Sequence, residues 1–140
     1  MKPVDKIYQA MLGVVHAMAF SDGEVSSFKL SLVVSVARKH PSFRRMSDED
    51  FAMTCGVVLE QWHNAPSHLV IDRWVATLSR NRDLAGEAYG LALDVALANG
   101  QISDIEERLL LHLATAWNIS NRVQELEYKA AIERKADGSA

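Results

Sequence analysis

Apolar residues recur along the chain at the spacing of a buried helix face, and the same pattern occurs twice. In the first stretch they stand at Ile7, Met11, Val14, Val15 and Met18. This spacing of i, i+4 and i+7 is typical of one face of an α-helix. The phase returns 77 residues later, where the corresponding positions include Leu84, Leu91 and Val95. The pattern therefore predicts two related helices that contribute to one core.

A tight glycine turn is expected at the end of each of these helices. Gly23 follows Asp22 and Gly100 follows Asn99, again 77 positions apart. Glycine adopts the left-handed conformation that such a turn requires without steric cost. The apolar phase continues beyond each turn, so we predict a helix–turn–helix unit that is used twice. The two copies cover about residues 7–40 and 84–117.

Serine residues are expected to start the second helix of each copy. Ser26 and Ser103 stand where an N-cap hydroxyl accepts a hydrogen bond from the first helical turn. In the second copy the spacing of Ser103 and Glu106 predicts a capping box, in which each side chain bonds to the backbone N–H of the other residue. In the first copy Lys29 stands at the position of Glu106, so that box is incomplete.

The same cues place the other helices and give the fold class. Residues 40–46 read as a basic connector, and Ser47 caps a helix that ends at the break around Pro66. The predicted helices cover about residues 4–20, 27–39, 48–63 and 67–79, and three more open near residues 83, 104 and 121. The last helix is predicted to turn Val123, Leu126 and Ala130 inward, and residues 136–140 to fray. We predict an all-α fold: a single compact bundle of about seven helices with an internal pseudo-two-fold repeat.

Two glycines occupy equivalent places in the middle of the repeated helices. Gly13 and Gly90 each cost up to about 1 kcal/mol of helix propensity relative to alanine. A cost that is repeated suggests a shared reason. We expect the first helix of each copy to cross the other closely at these two positions.

Composition and charge narrow the class of protein. With 140 residues, of which 49% are apolar and 24% charged, the chain resembles an ordinary single globular domain. Its one cysteine, Cys55, excludes an internal disulfide and fits a reducing compartment, so we predict a cytoplasmic protein. No signal peptide is expected, and no stretch approaches the roughly 20 apolar residues of a transmembrane span. The net charge of −3 disfavours a nucleic-acid partner.

The chain lacks a recognisable catalytic motif, so we predict that it is not an enzyme. Cys55 falls on the apolar side of its predicted helix, where an inert thiol is expected. None of the five histidines makes the paired spacing of a zinc peptidase. Neither a glycine-rich phosphate loop nor a serine nucleophile elbow is present in the sequence.

The two turns bring a known family into view. Ser21-Asp22-Gly23 and Asn99-Gly100, each flanked by helices in an all-helical chain of this length, resemble the TerB family. TerB proteins are bacterial proteins associated with tellurite resistance, and related domains include the N-terminal region of a membrane-anchored DnaJ-type co-chaperone. The resemblance covers about residues 7–119. It implies a bundle of about seven helices without demonstrated enzymatic activity.

The resemblance also implies a candidate metal site. Acidic residues at the two turns of the family have been proposed to bind a metal ion. The positions that match are Asp22 and Glu106, with Glu24, Asn99 and Glu107 as further oxygen donors. The chain departs from the family pattern at Lys29, which stands at a Glu position, and at Asn99, which stands at an Asp position.

Two other interpretations of these residues follow from their local spacing. In the simpler one, which we prefer, Asp22 shapes its turn and Glu106 closes a capping box. In the other, the ammonium of Lys29 takes the place of the cation by pairing with Asp22 or Glu106. No other cofactor is predicted.

A basic patch gives the chain a candidate interaction surface. Arg38, Lys39, Arg44 and Arg45 suit contact with an acidic protein partner or an anionic membrane surface, although such runs are more often simply solvated. Our first hypothesis is a non-enzymatic, TerB-like protein of tellurite resistance or stress response that acts as an interaction module with an unknown protein partner. The alternative is a sensor or buffer of a divalent metal ion at the two turns.

Overall fold

The computed structural model describes residues 5–98 and 100–138, and all regular secondary structure in these ranges is α-helical. The helices are α1 (Lys6–Ala19), α2 (Ser27–Lys39), α3 (Pro41–Arg44), α4 (Asp48–Asn64), α5 (Ser67–Leu78), α6 (Arg82–Ala98), α7 (Asp104–Ala116) and α8 (Asn121–Gly138). The prediction of an all-α fold is therefore confirmed. The described part of the chain has eight helices instead of about seven, and the relation of its halves by a pseudo-two-fold axis stays a prediction.

Two central helices organise the core. Helix α1 packs against α2, α4, α5 and α6, and helix α6 packs against α1, α2, α7 and α8. Every residue of α1 from Ala10 to Met18 is buried, which is expected of a helix that is apolar on nearly all sides. Most of α6 from Ala85 to Leu97 is buried for the same reason.

The two glycine turns have the predicted backbone conformation. Gly23 has a φ of 86° and Gly100 a φ of 112°, in the left-handed region that favours glycine. The N–H of Gly23 donates to the carbonyl of Phe20 at 2.8 Å, and the N–H of Gly100 donates to that of Leu97 at 3.0 Å. These donors and acceptors are related by the same offset of 77 residues. Asn99 lies outside the described residues.

The predicted caps at the start of α2 and α7 are also confirmed. The hydroxyl of Ser26 accepts from the N–H of Lys29, and the hydroxyl of Ser103 accepts from the N–H of Glu106, both at 3.2 Å. The carboxylate of Glu106 in turn accepts from the N–H of Ser103 at 2.8 Å and completes the capping box. The incomplete box at Lys29 leaves that side chain available for other contacts.

The additional helix, α3, lies in the segment predicted to be a basic connector. Pro41, predicted to stop the preceding helix, also serves as the first residue of this new one, because its fixed φ suits a helical start. His40 caps the new helix by accepting a hydrogen bond from the N–H of Ser42 at 3.1 Å. The buried ring of Phe43 then anchors the short helix to the core.

The predicted inward face of the last helix is wrong. Val123 and Leu126 are 43% and 56% exposed, whereas Ala131 is buried against the core. Helix α8 packs on α6 with a face that also carries Arg134, which pairs with Asp94. A polar contact therefore sets the rotation of α8, which apolar periodicity could not indicate. The helix also continues to Gly138, into the stretch that we expected to fray.

The predicted reason for the paired glycines is wrong as well. A Cβ at Gly13 would lie 2.3–2.6 Å from ring atoms of Trp74, so this glycine makes room for a tryptophan of α5. A Cβ at Gly90 would lie 3.2 Å from a carboxylate oxygen of Glu127 on α8. Each glycine thus faces the helix that covers its own central helix, and the crossing of α1 and α6 does not explain either.

Candidate binding groove

The first turn, which the family resemblance implies as a metal site, is held by an internal ion pair. The Nζ of Lys29 donates to Asp22 Oδ1 at 2.5 Å and to the carbonyl of Glu24 at 3.2 Å. The same Asp22 oxygen accepts from the N–H of Glu24 at 2.9 Å, which shapes the turn. The hydrogen bond from Lys29 lowers the pKa of the Asp22 carboxyl. The ammonium group therefore stands where a cation would meet this carboxylate.

The second turn has an equally local arrangement. Glu106 is engaged in its capping box, and Glu24 and Glu107 are exposed. The structure gives Asp22 and Glu106 partners close to them in the sequence. Over residues 5–98 and 100–138, no three His, Cys, Asp or Glu side chains are grouped as a metal ion would require. Both local interpretations, the turn and the capping box, are confirmed, while metal binding itself stays a prediction.

The predicted basic patch divides into a structural part and an exposed part. Arg38 donates to the carbonyls of Phe43 and Met46, both at 2.8 Å, and to Asp48 at 2.7 Å. Its guanidinium also lies 5.0 Å from the ring centroid of Phe51. Arg38 thus ties α2 to the start of α4 and is not a free surface cation. The other three residues of the patch, Lys39, Arg44 and Arg45, are exposed.

Lys39 also belongs to the largest hollow among the described residues, a groove of about 740 Å³ between α2, α6 and α8. We call it the α6 groove. Its floor is the surface of α6 from Arg82 to Ala98. One wall is α2 with its continuation through His40 and Pro41, and the other wall is α8. The volume falls within the roughly 300–1,000 Å³ of typical ligand sites.

Small residues form the middle of this floor. Gly86, Gly90, Asp94 and Ala98 follow one another at intervals of four, so they lie along one face of α6. A Cβ at Gly86 would meet no atom within 4 Å, so open space lies directly above its backbone. The floor is therefore deep because its side chains are short.

A charged pair crosses from the floor to one wall. Arg134 of α8 meets Asp94 of α6 with its Nε 3.0 Å from Oδ1 and 3.1 Å from Oδ2. A second nitrogen of the same guanidinium lies 2.8 Å from Oδ1. Burial raises the pKa of the Asp94 carboxyl, although the hydrogen bond from Arg134 opposes this effect. The pair supports α8 at the edge of the groove.

A histidine stands in the opposite wall. His40 is half-buried, and this burial lowers its pKa against the attraction of the Glu87 and Asp94 carboxylates. Because Nδ1 accepts the N–H of Ser42, the neutral ring carries its proton on Nε2. Two of the described groups with displaced pKa values, His40 and Asp94, thus line one groove, which is typical of a functional surface.

A second, smaller hollow lies beside α1. Its volume is about 190 Å³, and α7 contributes Ile105 and Leu109 to its lining. Several of its lining positions differ from those of the α6 groove by the offset of 77 residues. Ala17 corresponds to Asp94, Ser21 to Ala98, and Leu109 to Leu32. The two hollows thus share lining positions at the repeat offset.

Aromatic side chains of α4 and α5 fill much of the space beside α1. Trp62 lies 5.9 Å from Phe20 between ring centroids, and it stacks on Trp74 at 6.5 Å with an interplanar angle of 8°. Trp74 lies over Gly13 and donates its Nε1–H to Gln61 at 3.1 Å. No comparable aromatic group lines the α6 groove in the part of the chain described here.

Sequence reasoning singled out Lys39 and missed the rest of the groove. The available signal was the run of short residues at Gly86, Gly90, Asp94 and Ala98, a spacing that places them on one helix face. That signal could not show which helix lies next to the floor. The Cys55 thiol lies outside the groove, and burial raises its pKa to about 11, in keeping with an inert thiol.

Comparisons of the chain with models of known protein families, with curated proteins and with solved structures find no match. Within residues 5–98 and 100–138, no helix has both the length and the apolar character needed to cross a membrane.

Proposed function

We propose that this chain is a non-enzymatic, TerB-like interaction module of the bacterial cytoplasm, associated with tellurite resistance or a related stress response. It binds a protein partner in the α6 groove. The observation that carries the proposal is the groove itself, a hollow of about 740 Å³ with an open floor at Gly86 and charged walls. Surfaces of this depth with a few convergent polar groups are the usual binding sites of proteins.

The described chemistry supports binding more than catalysis. His40 is neutral near pH 7 because burial lowers its pKa, and Asp94 is engaged by Arg134. Neither residue has a neighbouring nucleophile along the groove, whose hydroxyl-bearing side chain is Ser35 on the exposed surface of α2. A groove built of paired charges and apolar positions suits recognition of another protein surface.

Site-specific photo-crosslinking in living cells tests this proposal. A photoreactive amino acid is placed at Ser35 or Glu87 in the groove, and at Ala52 or Ala76 on exposed surfaces outside it. We expect one protein to be captured from the groove positions and not from the control positions. Equal capture at all four positions, or no capture at the groove, contradicts the proposal.

The stress association has a separate test. Cells that lack the gene are challenged with tellurite and complemented with the wild-type chain or with Gly86→Trp, whose side chain would fill the groove. We expect the wild type to restore growth and Gly86→Trp to fail. Growth that does not depend on the gene at all would refute the association with tellurite while leaving the binding role to the crosslinking result.

A further inference from the structure

The shape of the α6 groove narrows the class of partner. Its floor runs from Arg82 to Ala98, which is about 24 Å at the rise of an α-helix. Helices α2 and α8 flank this floor on its two sides. A channel of this length with helical walls matches four to five turns of another helix, whereas a small molecule would fill only part of it.

The molecule contains a template for such an occupant. The hollow beside α1 shares lining positions with the α6 groove at the offset of 77 residues, and there α4 and α5 occupy the space. Their contribution is an aromatic one, because Trp62 and Trp74 stack over the glycine face of α1. Beside α6, the corresponding volume is open. A helix that carries a large aromatic side chain is therefore the occupant that this arrangement fits.

One wall offers an apolar contact for that helix. Phe28, Leu32 and Val36 follow one another at intervals of four on α2, so they share a face. Leu32 and Val36 line the groove, and Phe28, one turn earlier, is 64% exposed. An aromatic ring this exposed beside a groove is typical of a contact that a partner covers.

The charges of the lining select a protein over a polyanion. Four basic side chains, Lys39, Arg82, Arg134 and Lys135, stand against four acidic ones, Asp83, Glu87, Asp94 and Glu127. A surface without net charge attracts neither a nucleic acid nor an anionic membrane, which both require an excess of positive charge. It complements a helix that carries both signs beside its apolar stripe.

We infer that the α6 groove binds an amphipathic helix of a partner protein, with a large aromatic side chain inserted over Gly86 and Gly90. This inference rests on the proposed function and specifies the partner of the same site. The helix completes on α6 the cover that α4 and α5 provide on α1. Because the groove is charge-balanced, the affinity depends little on salt concentration.

Selection from a displayed library of random peptides of about 20 residues, long enough to span the groove as a helix, tests the inference. The bait is the purified full chain. We expect the enriched peptides to share an aromatic residue followed by apolar residues at i+3 or i+4 and i+7, and to gain helical circular dichroism on binding. Enriched peptides without this spacing, peptides that bind in an extended form, or a failure to enrich any peptide would overturn the inference.

Two matched glycine substitutions locate the binding. A Cβ at Gly86 or at Gly56 of α4 meets no atom within 4 Å, so tryptophan is tolerated by the backbone at both positions. We expect Gly86→Trp to weaken peptide binding by about 10-fold or more, the size of effect seen at interface centres, and Gly56→Trp to leave it unchanged. Ser35→Trp, on the exposed surface of α2, gives a second block of the groove if Gly86→Trp unfolds at a lower temperature. Equal binding by all three variants would place the peptides elsewhere and overturn the inference.

The outcomes separate this inference from the proposed function. Capture of a protein in cells through a segment that is not helical would keep the function and overturn the helix. Enrichment of helical peptides in the groove, without capture of any protein in cells, would support the helix and overturn the function. Sedimentation of the chain over a range of concentrations covers the remaining occupant: a dimer that Gly86→Trp abolishes would assign the groove to a second copy and overturn the inference.

Discussion

The two central helices carry equivalent glycines and differ in what covers them. On α1, Gly13 receives the indole of Trp74, and the rings of Trp62 and Phe20 extend the same aromatic cluster. On α6, Gly90 receives the flexible side chain of Glu127, next to the pair of Asp94 and Arg134. The first face is closed by apolar packing and the second is bordered by charges and an open groove. Similar helices thus serve the core on one side and a surface on the other.

The difference shows how one helical pattern supports two roles. Burial of large aromatic groups contributes strongly to stability, because each removes a large apolar area from water. A partly exposed ion pair contributes little, since water screens it and two long side chains must be ordered. The cover of α1 is therefore expected to be hard to remove without unfolding, and the cover of α6 to be easily altered. The predictions below test this contrast.

The largest effect is expected from removal of the aromatic cover. Trp74→Ala should lower the free energy of unfolding by about 4 kcal/mol, because it leaves a cavity over Gly13. Arg134→Ala, the corresponding change in the cover of α6, should lower it by only about 0.5 kcal/mol. Chemical denaturation of both variants measures the difference. Similar losses in the two variants would show that the covers are energetically alike and would break the comparison.

The glycines themselves should differ next. Gly13→Ala places a methyl group within 2.6 Å of the Trp74 ring and should cost about 2 kcal/mol through overpacking. Gly90→Ala displaces only the end of the Glu127 side chain, so the gain of up to about 1 kcal/mol in helix propensity should make it neutral or stabilising. Thermal unfolding of the two single variants provides the measurement. The comparison fails if Gly90→Ala is the more damaging change.

A buried histidine on α1 adds a dependence on pH. His16 donates from Nδ1 to the carbonyl of Leu12 at 2.7 Å, and burial lowers its pKa below the usual 6.5. The folded state therefore binds this proton less readily than the unfolded state, and stability is lost as pH falls below about 6.5 toward the folded pKa. One such proton changes the free energy of unfolding by at most about 1.4 kcal/mol per pH unit.

Position 93 on α6, which corresponds to His16, is a buried leucine and supplies the natural substitution. His16→Leu should flatten the decline in unfolding free energy between pH 7.5 and pH 5.5, measured by denaturation at each pH. His40, whose pKa is also lowered, accounts for what remains. An unchanged slope in His16→Leu would show that this buried ring does not drive the dependence.

The smallest effect is expected from divalent cations. Addition of Ca²⁺, Mg²⁺, Mn²⁺ or Zn²⁺ after chelation should leave the midpoint of thermal unfolding unchanged, because the ammonium of Lys29 already holds Asp22. A bound ion at about 100 times its dissociation constant would instead add roughly 2.7 kcal/mol of stability. A rise in the midpoint that is lost in Asp22→Ala would restore the metal hypothesis for the first turn.

Local rules predicted most of the fold, and nonlocal contacts account for what they missed. The start of α2 at Ser26 and the capping box at Ser103 depend on neighbouring residues alone, and both are confirmed. The short α3 was missed because Pro41 was interpreted only as a stop signal. The rotation of α8 depends on the pairing of Arg134 with Asp94, 40 residues away in the sequence, and no periodicity encodes such a pair.

The candidate site was less predictable for the same reason. Its floor could be inferred from the spacing of Gly86 and Gly90, but its depth depends on what lies beside α6. Arg38 shows the reverse problem, because a residue from an apparently solvated basic run proved to be fixed by two carbonyls and Asp48. Charge in a sequence does not reveal whether a side chain contacts solvent or the backbone.

The ion pair at the first turn has a consequence for what this protein can sense. Lys29 is only seven residues from Asp22 in the same chain, so its charge is present at a high effective concentration that dilution cannot lower. A dissolved ion in that place would come and go with its supply, and the turn would report the ion's abundance. A tethered charge makes the turn a constant. The first turn is thereby made indifferent to the mineral content of its surroundings.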